Sequence, residues 1–214
     1  MRRQLVDYLN EDEQVEALKG WLKKYGTSIV TGVVLGIVIM YGIQYWKKHS
    51  VETSMQASIL YEQMLNSLAN GNKDDVSEQA NTLKSDYAKT PYAGAASLLL
   101  AREAVYQGDL KAASEDLAWT IKNSKNPALR QVARLRQARV LSSLNDNQAA
   151  LDVLSKVDDA SYQMAIDGVS GDIYLAMDQK DKAEQRYQAA LKIVPVNSSF
   201  RPILQMKLNN INGA

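Results

Sequence analysis

The sequence predicts an all-α protein in which a single N-terminal transmembrane helix is followed by a solenoid of paired helices. Three observations carry this. Gly26 to Trp46, GTSIVTGVVLGIVIMYGIQYW, runs for 21 residues without a charge. The remainder repeats a pattern of small residues and turn residues every 33 to 37 positions. Strand-like alternation bounded by turn residues is not evident anywhere.

The tail, residues 1–25, opens with a predicted helix start at Asn10-Glu11-Asp12-Glu13, where Asn10 is placed to cap and Glu13 to complete a capping box. Val15, Leu18, Trp21, Leu22 and Tyr25 follow at helical spacing, giving one apolar face. That face suits a short interfacial helix leading into the span, or a small docking site for a cytosolic partner.

The span itself, residues 26–46, would form a helix roughly 31 Å long at about 1.5 Å per residue, against a hydrocarbon core about 30 Å thick. Lys23 and Lys24 stand before it and Lys47 and Lys48 after it, with Trp21, Tyr25, Tyr41, Tyr45 and Trp46 near the two ends. Amphipathic rings favour the headgroup level. The run is too long for a signal-peptide core and no small-x-small site follows it, so it reads as an anchor. Arg2, Arg3, Lys19, Lys23 and Lys24 precede it, whereas beyond Lys48 no Lys or Arg recurs until Lys73. The positive-inside rule therefore favours a cytoplasmic tail, which in a bacterium would put residues 47–214 in the periplasm.

Within the span, Gly32 and Gly36 form a GxxxG strip that another membrane helix can approach closely. From Ile43 to Asn70 there is neither Gly nor Pro, and Val51, Met55, Ile59, Leu60, Met64 and Leu68 keep a helical apolar face. The membrane helix is thus expected to run directly into the first helix of the soluble domain, holding that domain near the membrane surface.

The soluble part is built from repeats. In Met164–Pro195, Gly171, Tyr174, Ala183, Tyr187, Ala190 and Pro195 fall at the spacing of a tetratricopeptide repeat. Small residues at Gly171 and Ala183 let two helices cross closely, Tyr174 and Tyr187 fill the space on either side, and Pro195 stops the second helix. Weaker copies precede it. Ala101, Gly108-Asp109, Ala113 and Leu117 lead to Asn126-Pro127, and Ala138, Leu141, Asn145-Asp146, Ala150 and Leu154 repeat the theme. The equivalent Ala113, Ala150 and Ala183 are 37 and 33 residues apart. A degenerate first pair, 51–70 and 75–89, ends at Thr90-Pro91, and Arg201–Ile211 makes a closing helix.

Composition limits the chemistry. Beyond the span, 168 residues carry 20 basic and 19 acidic side chains, so no basic field advertises nucleic acid. Cysteine is absent, and the one histidine, His49, lies beside two lysines as a solvated polar residue. No Ser/His/Asp set, phosphate loop or carboxylate–histidine cluster is present, so neither a catalytic site nor a cofactor is expected. Asp74-Asp75 and Asp158-Asp159 read as solvated turn residues. In tetratricopeptide proteins the first helix of each pair lines a concave groove. Those offsets put Arg102, Val105 and Tyr106, then Leu135, Arg139 and Ser142, then Asp172 and Leu175 on such a surface. Arg, Tyr and aliphatic side chains together suit extended peptides, with Arg gripping carboxylates or carbonyls. Packing of several of them against the neighbouring pair is the alternative.

The chain resembles the YfgM family, the ancillary subunit of the bacterial SecYEG translocon. The residues that carry the likeness are Gln14-Val15-Glu16-Ala17, Gly32 to Gly36, Tyr45-Trp46, His49, Val51, Ala57-Ser58, Tyr61, Ala95-Ala96-Ser97-Leu98 and the closing Gln205-Met206-Lys207-Leu208-Asn209-Asn210-Ile211. The resemblance implies a single-span inner-membrane protein with a cytoplasmic N-terminus and a periplasmic tetratricopeptide-like domain. It implies association with SecYEG and with a membrane-anchored periplasmic chaperone resembling a prolyl isomerase, in support of newly exported proteins. It also implies an influence on a cytosolic stress-response regulator, so the competing expectation is a membrane anchor that controls such a regulator through its tail.

Overall fold

The computed structural model describes the backbone of residues 2–213 and the side chains from Val15 to Gly213 apart from Ala17, Ile29 and Asn212. Among these residues every regular element is helical: α1 (Arg2–Ala69), α2 (Lys73–Asp86), α3 (Pro91–Tyr106), α4 (Leu110–Asn123), α5 (Pro127–Ser143), α6 (Asn147–Leu154), a single 3₁₀ turn (Ala160–Tyr162), α7 (Gln163–Ala176), α8 (Lys180–Ile193) and α9 (Phe200–Asn212). The chain divides into two units, Met1–Glu52 and Thr53–Ala214.

The first unit is helix alone. Its apolar stretch is long and apolar enough to cross a membrane, and none of it is covered by protein. Left in water, an uncovered aliphatic surface of this length would forfeit about 25 cal/mol for every Å² exposed, so it calls for an apolar cover. Trp21 and Tyr25 pack ring to ring at 5.9 Å, and the exposed His49 lies parallel to Tyr45 at 6.5 Å between ring centroids. Helix α1 begins at Arg2, upstream of the start expected at Asn10, and the capping side chains Asn10 and Glu13 lie outside the described residues. The helix continues without a break to Ala69, in keeping with the lack of Gly and Pro from Ile43 to Asn70.

The second unit is a stack of helix pairs. Each pair is joined by the same turn. Gly71, Gly108, Asn145 and Asp178 all have positive φ, between 57° and 79°. In every case the turn residue N–H donates to the carbonyl three residues back, and the next N–H donates to the carbonyl five back. The acceptors for the second bond are Ser67, Ala104, Leu141 and Tyr174, at 2.9 Å each. This is the Schellman geometry, which satisfies carbonyls that the helix end leaves free. Glycine enters the left-handed region without strain, and Asn and Asp tolerate it better than other residues. The following residue opens the next helix, and Asp109 and Asp146 cap it by accepting from the N–H of Ala112 (3.0 Å) and Ala149 (3.3 Å).

Four apolar clusters form the core, and each joins a helix pair to the first helix of the next pair. Ala57 and Met64 of α1 meet Val76, Ala80 and Leu83 of α2 and Ala93, Ala96 and Leu99 of α3. Leu98 and Ala101 meet Ala113 and Leu117, then Ala133 and Val140. Leu135 and Ala138 meet Ala150 and Leu154, then Ile166, Val169 and Ile173. Ala183, Tyr187 and Ala190 of α8 meet Leu204 of α9, which thereby supplies the missing next helix. Such nearest-neighbour burial is the logic of a solenoid. The repeat alanines Ala113, Ala150 and Ala183 are all fully buried.

Three expectations need correction. Of the apolar face drawn along the end of α1, Met64, Leu60 and Leu68 pack inward, but Met55 and Ile59 are 59% and 52% exposed, because a first helix has no preceding pair to cover its outer side. Asp74 and Asp75 lie in the first turn of α2, where acids complement the helix dipole, not in a loop. Asp158 is ion-paired, not a free turn residue. It accepts from Arg130 Nε at 2.8 Å and Arg134 Nε at 2.6 Å, while its N–H donates to Gln131 Oε1 at 2.8 Å. Helix α6 is only eight residues long, and these bonds fold the segment after it back onto α5.

Candidate peptide-binding groove

The recurring turn gives every pair-opening helix one register. Six residues before it stand Leu65, Arg102, Arg139 and Asp172, and three residues before it Leu68, Val105, Ser142 and Leu175. Arg102, Val105, Arg139, Ser142, Asp172 and Leu175 fall on these two rows, whereas Tyr106 and Leu135 lie off them, and the surroundings differ along the stack.

In the middle of the stack, Arg102, Val105 and Tyr106 of α3 and Arg139 of α5 line one cleft of about 310 Å³. Arg136 and Val140 complete the α5 wall, and Ala101 and Leu117 lie at its base. Sequence offsets omitted Arg136, which stands three residues before Arg139 and so one turn away on the same face. Val105 and Tyr106 are 43% and 77% exposed. Arg102 is held by its neighbour, with Nε and Nη2 donating to Glu103 Oε1 at 3.1 and 2.9 Å.

The other expected groove residues are engaged within the fold or lie apart from this cleft. Leu135 is 6% exposed and belongs to the core between α5, α6 and α7. Ser142 Oγ donates to Asn147 Oδ1 at 2.8 Å across the helix turn. Asp172 accepts from Tyr187 Oη at 2.6 Å and from Lys207 Nζ of α9, so the closing helix neutralises it. Burial and this contact with Asp172 together hold the Tyr187 hydroxyl well above the usual phenol range. Leu175 is half-exposed beyond that pair. In the span, a Cβ added at Gly32 or Gly36 would meet nothing within 4 Å, so the GxxxG strip is open.

A second cleft, about 510 Å³, lies among α6, α7 and α8, lined in part by Leu151, Ile166, Tyr174, Met177, Lys182 and Arg186. Its cations are engaged: Lys182 Nζ stands 5.5 Å from the Tyr174 ring centroid, and Arg186 Nη1 donates to Asp167 Oδ1 at 3.1 Å.

Comparison with known proteins matches both halves of this description. The family described as a tetratricopeptide repeat-like domain matches residues 19–213. The chain is similar to proteins named ancillary SecYEG translocon subunit in Escherichia coli (strain K12), at 28% identity over 96% of this chain and 98% of that one, and in Aggregatibacter actinomycetemcomitans, at 30% over 95% and 98%. It is also similar to a solved thermophilic tetratricopeptide-repeat protein of Thermus thermophilus, at 19% identity and a TM-score of 0.48, over 74% of this chain and 82% of that one. A likeness that runs through the apolar span and the helix pairs alike leaves one assignment: the chain belongs to the family of ancillary SecYEG translocon subunits, with a tetratricopeptide-like domain behind one apolar N-terminal helix.

Proposed function

We propose that this protein is a single-span inner-membrane adaptor of the Sec translocon, with residues 1–25 in the cytoplasm, 26–46 in the bilayer and 47–214 in the periplasm. Its tetratricopeptide-like domain assists newly exported proteins by binding them or a fellow chaperone, without catalysis. The observation that carries this reading is the extent of the likeness to translocon subunits, 95% or more of each chain, which takes in both the span and the solenoid. The lysine and arginine asymmetry around the span supports the orientation. The partners are the SecYEG channel and a membrane-anchored periplasmic chaperone resembling a prolyl isomerase. Crosslinking in intact membranes, followed by identification of the captured chains, tests this. Recovery of both partners is expected, and recovery of neither removes the adaptor reading.

One observation favours a second role. Val15, Leu18, Trp21, Leu22 and Tyr25 keep an exposed apolar face ahead of the span, which suits a docking helix for a cytosolic stress-response regulator. Deleting residues 1–22 separates the two roles: an adaptor keeps its periplasmic partner, whereas a regulator loses its output.

A further inference from the structure

We infer that the cleft between α3 and α5 receives an acidic-apolar segment of polypeptide, with an Asp or Glu side chain held by Arg136 and Arg139 and an adjoining apolar side chain seated against Val105 and Tyr106. This rests on the reading of the protein as a binding adaptor and names what that adaptor binds.

The arginines of the soluble unit single out these two. Arg102 pairs with Glu103, Arg130 and Arg134 with Asp158, and Arg186 with Asp167. Arg201 donates to the carbonyls of Leu191 and Val194 at 3.1 and 2.8 Å. Among the described residues only Arg136 and Arg139 have no hydrogen-bond or ion-pair partner for their guanidinium groups, and both are exposed on one wall of one cleft. A guanidinium offers planar paired donors that match a carboxylate, and these two, a turn apart, are paired with no described carboxylate of their own chain.

The rest of the cleft sets the ligand's other half. The α3 wall offers Val105 and Tyr106, and its one cation, Arg102, is already neutralised by Glu103. A carboxylate is therefore gripped from the α5 side alone. That suits a side chain in a continuing polypeptide better than a chain end, which needs donors around it. The volume, about 310 Å³, is at the small end for ligand pockets, enough for one or two side chains. With 20 basic and 19 acidic residues beyond the span there is no long-range field to collect a polyanion, so the selectivity is local.

The test uses the full-length protein in mild detergent and fluorescence anisotropy with short labelled peptides. The first is acetylated and amidated, with alternating Asp or Glu and Leu; the second replaces each acid by its amide; the third is the amide version with a free C-terminal carboxylate. The first should bind, and the second at least about tenfold more weakly, since charge-assisted hydrogen bonds are roughly twice as strong as neutral ones. R136Q/R139Q should lose the same preference at an unchanged thermal melt, and Val105→Asp, an exposed change on the opposite wall, should weaken the acidic peptide again. Equal binding of the first two peptides, or an R136Q/R139Q protein that binds as wild type does, overturns the inference. A third peptide as tight as the first overturns it in favour of a chain-end receptor. Capture of the Sec channel by wild type in the same detergent keeps the two readings apart. Wild type that captures the channel yet shows no acid preference loses only the cleft. Wild type that captures neither channel nor chaperone loses the adaptor reading itself.

Discussion

Gly171 lies directly against the ring of Tyr187: a Cβ on residue 171 would fall 2.5 Å from Tyr187 Cε1 and 2.7 Å from Cδ1. Tyr187 is fully buried, and its ring occupies the volume that a side chain at 171 would need. The same two positions in the earlier pairs hold Ala138 with Leu154, Ala101 with Leu117, and Met64 with Ala80. All six of those residues are buried, and where one partner is large the other is small. The two positions share one volume, filled from either side.

Gly171→Ala should therefore destabilise the fold despite alanine's better helix propensity, because overpacking costs about 1–3 kcal/mol. Adding Tyr187→Leu recreates the Ala–Leu combination of the preceding pairs and should recover part of the loss. The double-mutant cycle, read from thermal melts of the full-length protein, should show a coupling of about 0.5–3 kcal/mol. Additive effects of the two changes would mean that the ring does not fill the space over residue 171.

Tyr187→Phe keeps the ring and removes only the hydroxyl that donates to Asp172 at 2.6 Å. The expected loss is about 0.5–1.5 kcal/mol at neutral pH. The pH dependence has a definite sign. The folded phenol titrates above its ordinary value of 10.0, so above pH 10 the unfolded chain binds fewer protons than the folded one and stability falls as pH rises. Denaturation at pH 9 and pH 11 should show a smaller alkaline loss for the Phe variant than for wild type.

The segment after α6 depends on Asp158. Burial pushes this carboxyl up, but hydrogen bonds from Arg134 and Arg130 and the charges of both outweigh it, leaving the group below 3.8. Its contribution is present above the unfolded value and is lost as pH falls through the lower folded value. Asp158→Asn leaves two arginines facing a neutral amide and should cost about 1–3 kcal/mol at pH 7. The difference from wild type should shrink below pH 4. Hydrogen exchange of residues 155–162 should rise in the variant, and unchanged protection there would argue against this anchoring role.

Gly32→Leu together with Gly36→Leu fills an open strip on the membrane helix. If that strip is where the span meets another helix, co-purification with the Sec channel or the anchored chaperone should fall by about tenfold, a loss of about 1.4 kcal/mol. The melt of the second unit, Thr53–Ala214, should not change, since both glycines belong to the first. Full retention of both partners would place the contact elsewhere.

Much of this was legible in the residues. A charge-free run of membrane length shows itself by hydropathy, and turn residues at Gly108-Asp109 and Asn145-Asp146 announce helix ends because few side chains tolerate a positive φ. Asp178, at φ 57°, carries the same role with a weaker residue, and spacing alone reveals it. The groove was only half legible. Of the residues that helical offsets pointed to, Arg102, Val105, Tyr106 and Arg139 line one cleft. The offsets could not separate Leu135, which is core, from its neighbours, and they passed over Arg136.

By itself the sequence determined the apolar span, the paired-helix repeat and the family, all of which follow from periodicity and local backbone preference. Only the tertiary structure decided which polar side chains are already satisfied. Asp158 meets Arg130 and Arg134 from 28 and 24 residues away, and Asp172 meets Lys207 from 35 away. A charge is free for a partner only if no such distant residue has neutralised it, and local periodicity contains no information about that. The physical reason is range: helix propensity acts over a few residues, whereas ion pairing depends on which helices the stack brings side by side.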